Sequence, residues 1–140
     1  MTTIRSYKDL KVWQSGCELV KLIYKESSSF PPGELYGLVQ QLRRAAVSVP
    51  SNIAEGYGRG TAADYVRFLR IARGSLYEIE TQLILCRNLG YLDETRLREL
   101  TSVATECMKM LHGLIKSINN TAHQPLLTQQ LLPTCLTTIA

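Results

Sequence analysis

Apolar residues recur at three- and four-residue spacing in four separate runs of this chain, and each run reads as one face of an amphipathic helix. The first stripe is Leu10, Trp13, Cys17, Val20 and Tyr24, with Asp9 as its cap. Gly16 lies inside it and leaves room for a neighbour to approach. Ser27, Ser28, Ser29, Phe30, Pro31 and Pro32 close this helix, because proline cannot continue it and serine competes for backbone groups. The second helix is expected to begin near Glu34 and to bury Leu38, Leu42, Ala45, Ala46, Val49 and Ile53. Pro50 interrupts its hydrogen bonding, so the pattern allows one bent helix or two short ones. Ser48, Ser51 and Asn52 are placed to satisfy backbone groups that the proline frees, and Gly56, Gly58 and Gly60 end the element. Thr61 and Asp64 open the third helix, whose stripe is Tyr65, Phe68, Ala72, Leu76, Ile79, Leu83 and Cys86, with Gly90 as its stop. Asp93 caps the fourth, which carries Leu97, Leu100, Ala104, Cys107, Leu111, Leu114 and Ile118. Four such helices with short links can hide their stripes only against one another. The fold class is therefore all-α, an antiparallel up-and-down four-helix bundle.

Charge divides the chain once. All sixteen Lys and Arg residues precede Asn119, and nothing after it is charged. Residues 1–118 read as one bundle domain, and 119–140 as an uncharged tail that is either disordered or packed on a neighbouring subunit. The net charge of +4 is a mild bias towards anionic partners. No run reaches the eighteen or so apolar residues of a membrane span, and no signal-peptide pattern opens the chain, so the expected location is cytoplasmic. Cys17, Cys86, Cys107 and Cys135 are too dispersed for a metal knot, and the first three read as buried small hydrophobes. No His and carboxylate pattern suits a di-iron bundle, and no nucleophile has an evident base. The expectation is a non-enzymatic protein with no metal and no cofactor.

The cationic middle is the clue to a partner. Arg67, Arg70 and Arg73 form a slanting row on the third helix, Arg43 and Arg44 sit on the second, and Arg59 lies between them. Brought together they would contact phosphates, giving affinity and salt dependence with little base specificity. The competing reading is a solvated face with ion pairs to Glu55, Glu78 and Glu80. Glu55 can pair with Arg59 one turn away, or reach Arg43 or Arg44. Tyr57, between glycines and near Arg59, is a candidate for base stacking, whereas the other tyrosines and Trp13 are expected to pack in the core or at its edge. Gly74 and Ser75 make a smooth strip that admits another helix, within the subunit or between subunits.

Three segments carry a resemblance: YKDLKVWQ, FPPGELYGLVQQLRRAAVSVPSNIAEGYGRG and FLRIARGSLYEIETQLILCRNLGYL. With them, the chain from about Tyr7 to Ile118 resembles the small four helix bundle protein family, first recognised in intervening sequences inside bacterial 23S ribosomal RNA genes. The resemblance implies an up-and-down bundle that associates into a ring, commonly a pentamer. It places the family's motif residues at Arg43, Arg44, Ser48, Pro50, Asn52, Glu55, Gly56 and Arg59, and at Gly74, Ser75 and Glu78, with no catalytic role for any of them. A more distant likeness runs to the basic pentameric accessory proteins of diversity-generating retroelements, which associate with reverse transcriptase and nucleic acid. The partners so implied are structured RNA or DNA or, alternatively, an acidic or polymerase-like protein for which the ring is a scaffold.

Overall fold

The computed structural model describes residues 3–123 and contains, among them, four long helices and no strand. They are α1 (Lys11–Ser27), α2 (Leu38–Tyr57), α3 (Ala62–Asn88) and α4 (Glu94–Ala122). Each helix packs on its neighbours in sequence, and α4 closes the square against α1, as an antiparallel up-and-down bundle requires. The fold class expected from the four stripes is the one observed.

Side-chain caps start the later helices. Thr61 Oγ1 accepts from Asp64 N–H at 3.2 Å, and Asp93 Oδ1 accepts from Arg96 N–H at 2.8 Å. Each cap contributes about 1 kcal/mol. Gly90, at φ +81°, takes the left-handed conformation that ends α3. The first two helices begin differently from expectation. Asp9 does not cap α1. It is the third residue of a preceding 3-10 turn, Tyr7–Asp9, where its carboxylate accepts from the N–H groups of Arg5 and Ser6. Helix α2 starts at Leu38 rather than near Glu34, because Pro32–Glu34 form a separate 3-10 turn. The Glu34 carboxylate reaches forward to accept from Leu38 N–H at 3.1 Å.

The stripes on α3 and α4 are buried as read, and α2 differs only at its start, where Val39 is buried and Leu38 partly so. The stripe on α1 is rotated. Its buried residues are Val12, Gly16, Leu19, Ile23 and Ser27; of the expected stripe Leu10, just before the helix, is buried, while Trp13, Cys17 and Val20 flank the core and Tyr24 is exposed. The expected stripe follows one edge of the helix's wide apolar arc; Val12, Gly16, Leu19 and Ile23 occupy the middle of that arc and face the core. Cys17 is consequently half-buried, whereas Cys86 and Cys107 are fully enclosed and burial pushes both thiols up to about 11.

Small residues set the closest approaches. A Cβ at Gly16 would lie 3.3 Å from Val49 Cγ1 and 3.5 Å from the Pro50 ring, so this glycine seats α1 against α2. Helix α2 is continuous through Pro50, which rules out the two-helix alternative. Gly56, expected to terminate α2, lies inside it: a Cβ there would sit 2.8 Å from Phe68 Cβ and 3.1 Å from the Tyr65 carbonyl oxygen. It is a packing position between α2 and α3, and the actual cap is Gly58. At the other end α4 passes Ile118 and stops at Ala122, where Thr121 Oγ1 donates back to the Ser117 carbonyl at 2.9 Å. The expectation of a disordered or strapping tail falls mostly on residues 124–140, outside the described ones.

Candidate nucleic-acid interface

The two helices that carry the candidate arginines, α2 and α3, approach closely at Gly56, which lies against Phe68 and Tyr65. Small side chains make this possible, and a polar network locks it. Ser48 Oγ and Ser75 Oγ lie 2.8 Å apart, and Asn52 Nδ2 donates to the Ser48 carbonyl at 2.8 Å and to Ser48 Oγ at 2.9 Å. Ser75 Oγ also lies 3.3 Å from the Ile71 carbonyl oxygen. Ser48, Ser75 and Asn52 thus fix the register of α2 on α3. The carbonyl freed by Pro50 belongs to Ala46, and among the described residues no side chain reaches it. Asn52 bonds the Ser48 carbonyl instead, which differs from the compensation expected.

The register distributes the arginines unequally. Arg59 and Arg67 converge on one ring: their guanidinium carbons lie 4.8 and 4.5 Å from the Phe68 centroid. Each also has an acid on its own helix turn, Arg59 with Glu55 at 3.2 Å and Arg67 with Asp64 at 3.6 Å. These pairs are exposed, so each is worth no more than about 1 kcal/mol, and a phosphate can compete for the guanidinium. Arg44 and Arg70 are exposed and Arg73 is half-buried, and among the described residues none has a carboxylate within 4.0 Å. Arg43 stands apart. Its Nε donates to Ser27 Oγ at 2.9 Å, and its guanidinium lies 4.5 Å from the Tyr24 ring centroid, which ties it to the end of α1.

The anticipated neutralisation by Glu55, Glu78 and Glu80 is realised only at Glu55, which pairs with Arg59 rather than with Arg43 or Arg44. Glu78 and Glu80 have no cation within 4.0 Å among the described residues. Gly74 faces outward with no atom within 4 Å of a built Cβ, so its smoothness serves no contact inside the subunit.

The aromatic residues reverse expectation in part. Tyr57 is half-buried and sits edge-on to both Tyr7 and Tyr65, at centroid separations of 6.5 and 6.1 Å. Tyr7 also meets Trp13 at 5.4 Å, so this end of the bundle is closed by an aromatic cluster. Burial raises the Tyr65 phenol above its ordinary range. In contrast Tyr24, Tyr36 and Tyr77, expected to pack, are 44, 85 and 53% exposed. Sequence offers a signal for Tyr36, in the Pro- and Gly-flanked link, and for Tyr77, which lies off the α3 stripe, but none for Tyr24.

Among the described residues no group of three or more His, Cys, Asp or Glu is placed to hold a metal, and no helix is long and apolar enough to cross a membrane. The family model described as 23S rRNA-intervening sequence protein matches residues 8–113, which span α1 to α3 and most of α4. No curated relative matches the chain.

Proposed function

The chain belongs to the 23S rRNA-intervening sequence protein family, and from that premise we propose that it is a non-enzymatic, cytoplasmic, ring-forming bundle, assembled as a pentamer, that binds structured RNA or DNA through phosphate contacts. The observation that carries the reading is that Arg44, Arg70 and Arg73 on α2 and α3 have neither a carboxylate within 4.0 Å among the described residues nor the tie to α1 that holds Arg43. Arg59 and Arg67 extend this set at the α2–α3 corner, with their carbon stems and planes supported on Phe68. Arginine on an aromatic platform keeps its outward N–H groups free for bidentate contact with phosphate. One subunit offers a weak site. A ring repeats it, and simultaneous engagement then raises the avidity.

Fluorescence anisotropy with a labelled RNA duplex across a salt series tests this. Three phosphate contacts give a slope of about −2.7 in log affinity against log salt, or about a 40-fold loss over a fourfold rise in salt, for one engaged subunit, and a steeper slope where several engage. Replacing Arg67 and Arg70 by Glu should remove most of the binding and leave the assembly intact. Salt-independent binding, or none near physiological ionic strength, would favour a scaffold for an acidic or polymerase-like protein. Loss of the assembly in the charge-reversed variant would make these arginines interface residues instead.

A further inference from the structure

A groove of about 610 Å³ runs along the outer side of α2 beside the end of α1, within the range of roughly 300–1,000 Å³ that ligand sites occupy. Tyr24, Tyr36, Gln40, Arg43, Arg44 and Ser48 supply its polar and aromatic lining, and Leu35, Val39 and Val47 its apolar surface. None of these nine residues is acidic. The adjacent carboxylate, Glu34, is committed elsewhere: Oε2 accepts from Leu38 N–H, and Oε1 accepts from the Tyr91 hydroxyl at 3.0 Å. The groove therefore combines two accessible phenol rings with two guanidiniums and no compensating charge.

We infer that this groove takes unpaired bases of single-stranded RNA or DNA. The inference rests on the nucleic-acid reading above and adds to it a second mode of contact. Exposed aromatic rings provide faces on which bases stack whatever their sequence, and arginines beside them meet the phosphates. Tyr36 is the leading platform, because at 85% exposure it packs on almost nothing in its own subunit. Tyr24 is already covered on one side by Arg43, at 4.5 Å. That arrangement holds the ring and the cation in a fixed relation and leaves 44% of the residue open. Arg44, exposed and without an acidic partner among the described residues, is the phosphate contact. Gln40 offers a donor and an acceptor to base edges.

The phosphate patch on α2 and α3 does not distinguish single strands from duplexes, whereas stacking requires bases that are free. The discriminating experiment compares a labelled oligouridylate with an RNA duplex of matched charge, using the full-length protein and its Tyr36→Ala and Tyr36→Trp variants. Tyr36→Ala should weaken single-strand binding about tenfold and leave duplex binding unchanged, and Tyr36→Trp should restore it. A 5-iodouridine-substituted strand should crosslink to Tyr36 on irradiation. Equal losses on both ligands, or no loss on either, would overturn the inference. So would a change in the mass of the assembly in Tyr36→Ala, since the groove would then be a contact between subunits. Wild-type protein that binds duplex alone overturns the stacking groove and leaves the phosphate reading standing; protein that binds neither ligand removes both.

Discussion

Two glycines with the same letter have opposite roles. Gly56 lies inside α2 where a Cβ would meet Phe68 Cβ at 2.8 Å and the Tyr65 carbonyl oxygen at 3.1 Å. Neither atom belongs to a flexible side-chain end, so the two helices must part. Overpacking of this kind costs about 1–3 kcal/mol, against a gain of at most about 1 kcal/mol in helix propensity. Gly56→Ala is therefore expected to lower stability by about 1–2 kcal/mol. Gly74, also within a helix, has open space around it. Gly74→Ala gains the propensity term alone and is expected to raise the stability of the bundle by about 0.5–1 kcal/mol. Urea unfolding separates them: the midpoints should shift in opposite directions with the slope unchanged. The sequence marks both as motif glycines; only the neighbour across the helix pair distinguishes them.

At the scale of the element, α2 holds the main conflict between local preference and packing. Proline in a helix interior costs about 3 kcal/mol, through a lost hydrogen bond and a clash with the preceding turn. Pro50 is retained within an unbroken helix, buried, with its ring 3.5 Å from the position of a Gly16 Cβ. Trimming the ring to Ala removes about two buried methylenes, roughly 1.6 kcal/mol. The local term is the larger, so Pro50→Ala is expected to stabilise the protein by about 1 kcal/mol, measured by thermal or urea unfolding. A loss of stability would mean that the curvature imposed by the proline is what fits α2 to Gly16. The links at the end of the bundle opposite the aromatic cluster are joined through Glu34 and Tyr91. Donation of the Tyr91 hydroxyl to the Glu34 carboxylate raises the phenol above its usual range. A group with a raised folded value favours the native state fully below its unfolded value, and that contribution is lost as pH rises through the folded one.

Across the whole molecule, exposed apolar side chains are not spread evenly. Among the described residues α4 contributes none of the large ones, while α3 exposes Ile71, Tyr77, Ile84 and Leu85, followed by Leu89 just beyond its end. Helix α3 is thus apolar on its buried side and partly apolar on its outer side, with Gly74 between Ile71 and Tyr77. The Ile84, Leu85 and Leu89 end of this face, about four turns beyond Arg70 and so clear of Arg67, Arg70 and Gly74, suits contact with a neighbouring subunit, and a heterologous contact whose rotation closes produces a ring. Light scattering coupled to size exclusion should give a multiple of the monomer mass, with a pentamer expected. Joint replacement of Ile84 and Leu85 by Glu should reduce it to the monomer while the helical circular dichroism is retained. A monomeric wild type, or an unchanged mass in the variant, would remove the α3 face from the assembly.

The sequence by itself determined the four helices, the antiparallel bundle, the caps at Thr61 and Asp93 and the stripes of α3 and α4. In each case the signal is local: spacing along one helix, or a side chain bonding its own first turn. It also located the arginines, though not their states. The orientation of α1 was also present in the sequence, because Val12, Leu19 and Ile23 lie at the middle of its apolar arc; a stripe drawn through Trp13, Cys17 and Tyr24 follows the edge. Tertiary contacts decided that Arg43 is bound to α1 while Arg44 beside it is exposed, and that Tyr57 is half-buried against Tyr7 and Tyr65. Neighbours in sequence point to different sides of a helix, so the partner each side chain meets depends on which element lies across from it, and that is a property of the packed bundle.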